Sequence, residues 1–218
     1  MRTKKDKYVP ALSYHGLTAF YDTVVRWTSR EKIFKQRLLQ QANIHSAHRV
    51  LDLGCGTATL TIAVKQAVPQ ATVQGLDGDA KILKIARDKA RKAGVEILFD
   101  EGMSDKLPYQ DKVFDRVVSS LFFHHLTQEN KLKTLGEIQR VLMPGGELHI
   151  ADWGKPHNII MRVASLPVRL LDGATTADSF DGLLSSYLRE AGFVDVRTGE
   201  CYATMFGTLW LYQAKKPE

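Results

Sequence analysis

Four stretches of this chain hold side chains whose types and spacing could do chemistry. The first is Val50-Leu51-Asp52-Leu53-Gly54-Cys55-Gly56-Thr57. Its apolar residues read as a short buried strand, and its two glycines as the turn that follows. A glycine takes positive φ and lets a ligand approach the backbone where a Cβ would clash. A strand that runs into a glycine turn and a helix N-terminus is how open α/β sheets build a nucleotide crevice. The second stretch is Asp77-Gly78, with Asp77 standing 23 residues beyond Gly54 (77 − 54). An acid at the end of a second strand can accept both ribose hydroxyls of a nucleoside lying across that turn. The third is the polar turn Gly102-Met103-Ser104-Asp105-Lys106-Leu107-Pro108. The fourth is Ser119-Ser120, followed closely by His124-His125. An imidazole with an ordinary pKa near 6.5 can take a proton at neutral pH, so either histidine could serve as a base.

These stretches need a frame to hold them, and the hydrophobic pattern supplies one. Strands are expected at Val50–Leu53, Thr72–Asp77, Val95–Asp100, Phe114–Leu121 and Glu147–Ala151. Helices are expected between them, over 57–68, 80–93 and 129–142. Pro69 stops the first helix, Asp79 caps the start of the second and Gly94 ends it. Strands alternating with helices at this spacing imply a doubly wound parallel sheet. A last helix, 180–191, is closed by Gly192. Two final strands, near 193–198 and 206–214, are joined by a Gly199-Glu200 region too short for a crossover helix, so they must be antiparallel.

Two segments lie outside this frame. Residues 1–45 read as a basic tail followed by a helical cap over 17–42, with Trp27, Ile33, Phe34 and Leu38 forming its apolar face. An insertion over about 153–178, broken by Pro156, Pro167 and Gly173, reads as a lid across the strand C-termini. Tyr14, His15, Tyr21, Trp153 and Arg162 are its candidates for touching a second substrate.

Composition bounds the rest. The chain has 218 residues, a hydrophobic fraction of 44% and a net charge of +6, with a pI of about 9.3. That length suits one domain with some decoration. No apolar run approaches the roughly 20 residues of a membrane span. Met1 to Pro10 lacks the apolar core of a signal peptide. Cys55 and Cys201 form neither a disulfide framework nor a zinc spacing, and no metal-ligating cluster stands out. The reading is a reducing, cytoplasmic setting. The basic residues fall on the tails and one helix face, which solvation explains without nucleic acid.

Taken together, in order and at this spacing, these stretches resemble the class I S-adenosylmethionine-dependent methyltransferases. The likeness rests on Val50–Thr57, Asp77, Gly102–Pro108, Phe114–Ser120 and Arg140-Val141-Leu142-Met143-Pro144-Gly145-Gly146. It implies a Rossmann-like α/β sheet of order 3-2-1-4-5-7-6 with the last strand antiparallel. It also implies that Gly54, Gly56 and Thr57 hold the methionine end of the cofactor, with Asp52 supporting that loop or reaching the amino group. Asp77 and Gly78 would bind the ribose, Met103 and Ser104 would flank the adenine, and Ser120 would lie beside the sulfonium. The nearest branch is similar to the ubiquinone and menaquinone methyltransferases, whose cap carries a Tyr-Asp pair matched by Tyr21-Asp22. Three places depart from that branch. Met103 replaces a polar residue, His124-His125 replace an Arg-Asn pair, and Asp152-Trp153-Gly154 follows the fifth strand.

The expected activity is transfer of a methyl group to a small-molecule acceptor, with His125 or His124 as the base. On the first choice, His125→Ala lowers turnover and leaves cofactor affinity intact. The alternatives are an RNA or protein methyltransferase, or a non-catalytic S-adenosylmethionine-binding protein. The Pro-Pro-aromatic turn of nucleic-acid adenine methyltransferases is missing, since Ser120-Leu121-Phe122-Phe123 stands there. A dinucleotide dehydrogenase would want glycine at position 59, where Thr59 stands.

Overall fold

Seven strands form one sheet, in the order β3-β2-β1-β4-β5-β7-β6. The computed structural model describes residues 31–166, 178–204 and 207–218. In chain order the elements are α1 (Glu31–Ala42), β1 (Arg49–Leu53), α2 (Thr59–Ala67), β2 (Thr72–Asp77), α3 (Ala80–Lys92), β3 (Leu98–Glu101) and β4 (Phe114–Ser120). A short 3-10 turn (Phe123–His125), α4 (Gln128–Val141), β5 (Leu142–Gly154), α5 (Ile159–Ala164), α6 (Leu184–Glu190), β6 (Val194–Thr204) and β7 (Gly207–Lys215) follow. Strands β1 to β5 pair in parallel, and β7 runs antiparallel to both β5 and β6. The expected architecture is therefore the observed one.

Successive strand residues point to opposite faces, and both faces are buried. Leu51, Leu53 and Val117 pack with α4 and α6, around Leu135, Ile138 and Leu188. Val50, Val73 and Val118 pack with α1 and α2, around Phe34, Leu38, Leu60 and Val64. On β1 this alternation decides where Asp52 goes: its side chain falls on the α2 face, between two leucines committed to the other side.

Several expected boundaries move, each for a local reason. Residue 95 belongs to the helix exit rather than to β3. Its N–H bonds the carbonyl of Ala90 and that of Gly94 bonds Arg91, with Gly94 at φ 67°, which closes α3 in a Schellman motif. The fifth strand is longer than Glu147–Ala151. It starts at Leu142 and accommodates Pro144-Gly145-Gly146 as a break in register between Phe114↔Leu142 and Arg116↔Glu147. The last helix begins at Leu184, because Gly182 at φ 79° interrupts the chain before it. Gly199-Glu200 does not join the last strands. It lies inside β6 as a bulge, where Thr198↔Tyr212 gives way to Cys201↔Trp210, and the pairing continues to Thr204↔Gly207. On α1 the buried stripe is Phe34, Leu38 and Ala42, while Ile33 faces solvent. Trp27, Tyr14, His15, Tyr21 and Asp22 lie outside the described residues.

Candidate active site

Every strand from β1 to β5 points its C-terminal end the same way, so the residues just past those ends meet on one side of the sheet. Asp52, near the end of β1, is 1% exposed. Its Oδ2 accepts a hydrogen bond from the Thr61 hydroxyl at 2.6 Å, and its Oδ1 has no partner among the described residues. Burial pushes its carboxyl up to about 6, against the Thr61 hydrogen bond that lowers it.

The glycine turn is built as its sequence suggests. Gly54 and Gly56 take φ of 68° and 53°. A Cβ on Gly54 would overlap the ring of Phe122, whereas one on Gly56 would meet open space. The Gly54 and Cys55 N–H groups both bond the Leu76 carbonyl, which ties the turn to the end of β2. Cys55 is buried, and burial pushes its thiol well above the ordinary range, so it fills space rather than reacts. Ala58, which caps α2 with φ 63° and no side-chain hydrogen bond, occupies a left-handed conformation without being glycine. From α3, Lys89 donates to the hydroxyls of Thr57 at 3.0 Å and Thr59 at 2.8 Å. The Thr57 side chain is thereby turned to α3, and its backbone is what borders the turn.

Asp77 lies at the end of β2 and accepts from Gly56 N–H at 2.9 Å and from Asp79 N–H at 3.0 Å, one on each oxygen. Each oxygen keeps a lone pair for another donor. Burial raises its pKa, opposed by these backbone N–H groups. Asp79 itself caps α3, accepting from Lys81 and Ile82.

The turn 102–108 is gripped from beneath by α4. The Ser104 hydroxyl is bonded to Thr134 at 2.8 Å, the Leu107 N–H donates to Glu137, and Arg140 reaches the Leu107 and Tyr109 carbonyls. Met103 is left outward, 48% exposed. The turn thus offers a methionine side chain and the Ser104 backbone. The Ser104 hydroxyl is turned inward to Thr134.

Past β4, half-buried Ser120 pairs in register with Ala151, next to Asp152 on β5. Asp152 is 1% exposed. Its Oδ2 accepts from the N–H groups of Phe122 (3.1 Å), Phe123 (2.7 Å) and His124 (3.4 Å). Its Oδ1 contacts His124 Nδ1 at 2.6 Å and Trp153 N–H at 2.7 Å. Burial alone would raise this carboxyl, but the His124 ring and the backbone donors outweigh it and hold it below the usual carboxylate range. The two histidines then part ways. His124 is buried on Asp152, with its ring 6.2 Å from that of Trp153, which in turn stacks on Phe180 at 6.2 Å. His125 is exposed, with its ring 3.9 Å from that of His124. The charge of its neighbour, with desolvation adding, pushes it down to about 3. Arg162 lies on α5, where it has no buried neighbour within the helix.

Sequence reasoning gave Asp152 no role beyond its place in the departing stretch Asp152-Trp153-Gly154. The signal for it was positional, since strands β4 and β5 had to be neighbours and their ends had to meet. It also missed Phe122 against Gly54, and the α4 side chains under the 102–108 turn, for which no local motif exists.

A methyltransferase domain model matches residues 50–146. A methyltransferase of Synechocystis, itself uncharacterised, is 31% identical over 186 residues, covering 85% of this chain and 84% of that protein. The chain belongs to the S-adenosylmethionine-dependent methyltransferases. Among named relatives, the demethylmenaquinone methyltransferase of Thermus thermophilus is 36% identical over 123 residues, which are 56% of this chain and 55% of that protein. The chain thus matches only about half the length of that relative. A methyltransferase structure from Aquifex aeolicus superposes with a TM-score of 0.64 at 21% identity, over 84% of this chain and 89% of that one, and speaks for the fold. Among the described residues no helix is long and apolar enough to cross a membrane.

Proposed function

We propose that the chain transfers a methyl group from S-adenosylmethionine to a small-molecule acceptor. The observation that carries this is the unpartnered, fully buried Oδ1 of Asp52 beside an open glycine turn. A buried carboxylate oxygen without a donor is costly unless a ligand supplies one, and the cofactor's ammonium is such a donor. The space at Gly56 suits the methionine end of the cofactor, bordered by the Thr57 backbone. The spare lone pairs of Asp77 suit the ribose hydroxyls, with Gly78 alongside. Met103 offers an apolar contact to the adenine, and the Ser104 backbone a polar one. Ser120 and Gly54 border the place for the sulfonium, and Tyr21, outside the described residues, is the cap's candidate.

Bound there, S-adenosylmethionine supplies an electrophilic methyl carbon whose leaving group departs neutral. The protein is left to position the acceptor, exclude water and accept a proton. Of the two histidines, His124 is the better base. Asp152 occupies its Nδ1 and leaves Nε2 for the acceptor, whereas the neighbouring ring and desolvation push His125 down to about 3, which makes it a weak proton acceptor. The acceptor read from this base is a small molecule with a weakly acidic hydroxyl or an activated ring carbon. The Thermus relative's name points to a quinone precursor. His124-His125 and Asp152-Trp153-Gly154 differ from the pattern of that branch, so the quinone is not carried over.

The test is calorimetric titration of the purified protein with S-adenosylmethionine and, separately, with NAD and NADP. Micromolar binding of the sulfonium, abolished in Asp77→Ala, supports the reading. Binding of a dinucleotide alone refutes it. Turnover to S-adenosylhomocysteine with a cell extract as acceptor source then separates an enzyme from a binding protein.

A further inference from the structure

We propose that Asp152 is a positioning residue that locks His124 with its proton on Nδ1 and its lone pair on Nε2, aimed at the acceptor. This rests on the methyl-transfer reading above.

Among the described residues, two histidines are buried among polar partners, and they contrast. His149 is fully buried, and both its ring nitrogens are occupied, Nδ1 by Gln41 at 3.2 Å and Nε2 by Glu147 at 3.0 Å. That is a saturated, structural histidine. His124 has only Nδ1 occupied, by Asp152 Oδ1 at 2.6 Å. Its Nε2 makes no hydrogen bond among the described residues, and its side chain keeps 8% exposure. A carboxylate can only accept, so the contact requires the hydrogen on Nδ1, and in the neutral ring Nε2 is then the acceptor.

Capping alone does not account for Asp152. Its Oδ2 serves the N–H groups at the start of the 3-10 turn, a task that Ser, Thr or Asn also performs. Its Oδ1 is shared between the Trp153 N–H and the imidazole, a short charge-assisted contact that an amide would not reproduce. The step itself balances within the site. The acceptor–H bond breaks, an Nε2–H bond forms, and the imidazolium is stabilised by the Asp152 carboxylate. The proton then leaves to solvent through the exposed edge of the ring. Asp152 stays ionised throughout.

The experiment uses the full chain and three variants, Asp152→Asn, His124→Gln and the double. Long-range 15N–1H spectra at pH 8 give the tautomer of His124 without any acceptor. The wild type is expected to show Nδ1–H, and Asp152→Asn to populate Nε2–H. In turnover, Asp152→Asn is expected to lower kcat about 100-fold while the cofactor KM moves less than about threefold. The double variant should be no slower than His124→Gln, because Asp152 acts through that ring. An Nε2–H tautomer in the wild type overturns the proposal, as does a loss in the double that multiplies those of the singles. If Asp152→Asn fails to fold, the wild-type tautomer decides alone. If the wild type transfers no methyl group to any acceptor, the functional reading falls, and the spectra still decide how Asp152 holds His124.

Discussion

If Asp52 holds the cofactor's ammonium, as proposed above, cofactor affinity should depend on pH. Burial moves its pKa from 3.8 to about 6, which corresponds to about 3 kcal/mol against the ionised form. In the free protein, half of the Asp52 side chains are therefore protonated near pH 6. The cofactor's ammonium needs the ionised carboxylate, so binding expels the proton. Affinity should rise by about tenfold between pH 5 and pH 7, the range over which a group titrating near 6 passes from mostly neutral to mostly ionised. The cofactor's own amino group titrates near 8 and does not interfere in that range. Free-protein stability carries the opposite sign. A carboxyl whose folded pKa lies above its unfolded value stabilises the fold most at acid pH, and that contribution is lost as pH rises through about 6. Calorimetry in two buffers of different ionisation enthalpy should report about half a proton released per cofactor at pH 6. In Asp52→Asn the slope and the released proton should both disappear. A wild-type Kd that is flat from pH 5 to 7 refutes the reasoning. A slope that persists in the Asn variant assigns it to Asp77, whose carboxyl burial also raises.

Other expectations follow from single features. Ala58→Gly relieves a left-handed alanine at φ 63°; it should stabilise by about 0.5–1 kcal/mol after the entropy of glycine is counted, and raise Tm by about 1–4 °C. Lys131 is buried at 1% and contacts Asp178 at 2.6 Å, so Lys131→Met should cost about 3 kcal/mol in urea unfolding by stranding that carboxylate. The pKa of His149 is lowered by burial. The unfolded chain therefore takes up a proton first as pH falls below 6.5, and stability is lost in that direction. His149→Gln should flatten the dependence of Tm on pH between 7.5 and 5.5.

The sequence made the frame legible wherever a local rule had one winner. Gly54, Gly56, Asp79 and Gly94 each do what their residue types favour, and the spacing of the last two strands demanded an antiparallel pair. It was less legible where tertiary pairing overrides local signals. Pro144-Gly145-Gly146 and Gly199-Glu200 read as turns, yet the sheet absorbs both as irregularities because their neighbours continue the ladder. The site splits along the same line. Asp52, Gly56 and Asp77 could be placed from one motif and one spacing. The tie of Ser104 to Thr134, of Thr57 to Lys89, and of His124 to Asp152 spans 28 or more positions, and no local pattern encodes such pairs.

The reversed strand β7 has a practical outcome. Its pairing sets Thr208 opposite Gly154 and Lys215 opposite Glu147. Thr208, hydrogen-bonded to His157, therefore lies at the same end of the sheet as the candidate site, while Lys215 lies at the opposite end. Glu218 remains there too, against Gly145. A label or surface tether joined after Lys215 would anchor the molecule with the candidate-site end outward. On an electrode or a bead, immobilised protein would present its acceptor side to the flow, and a fluorophore at the Lys215 end would report on tumbling without touching the chemistry.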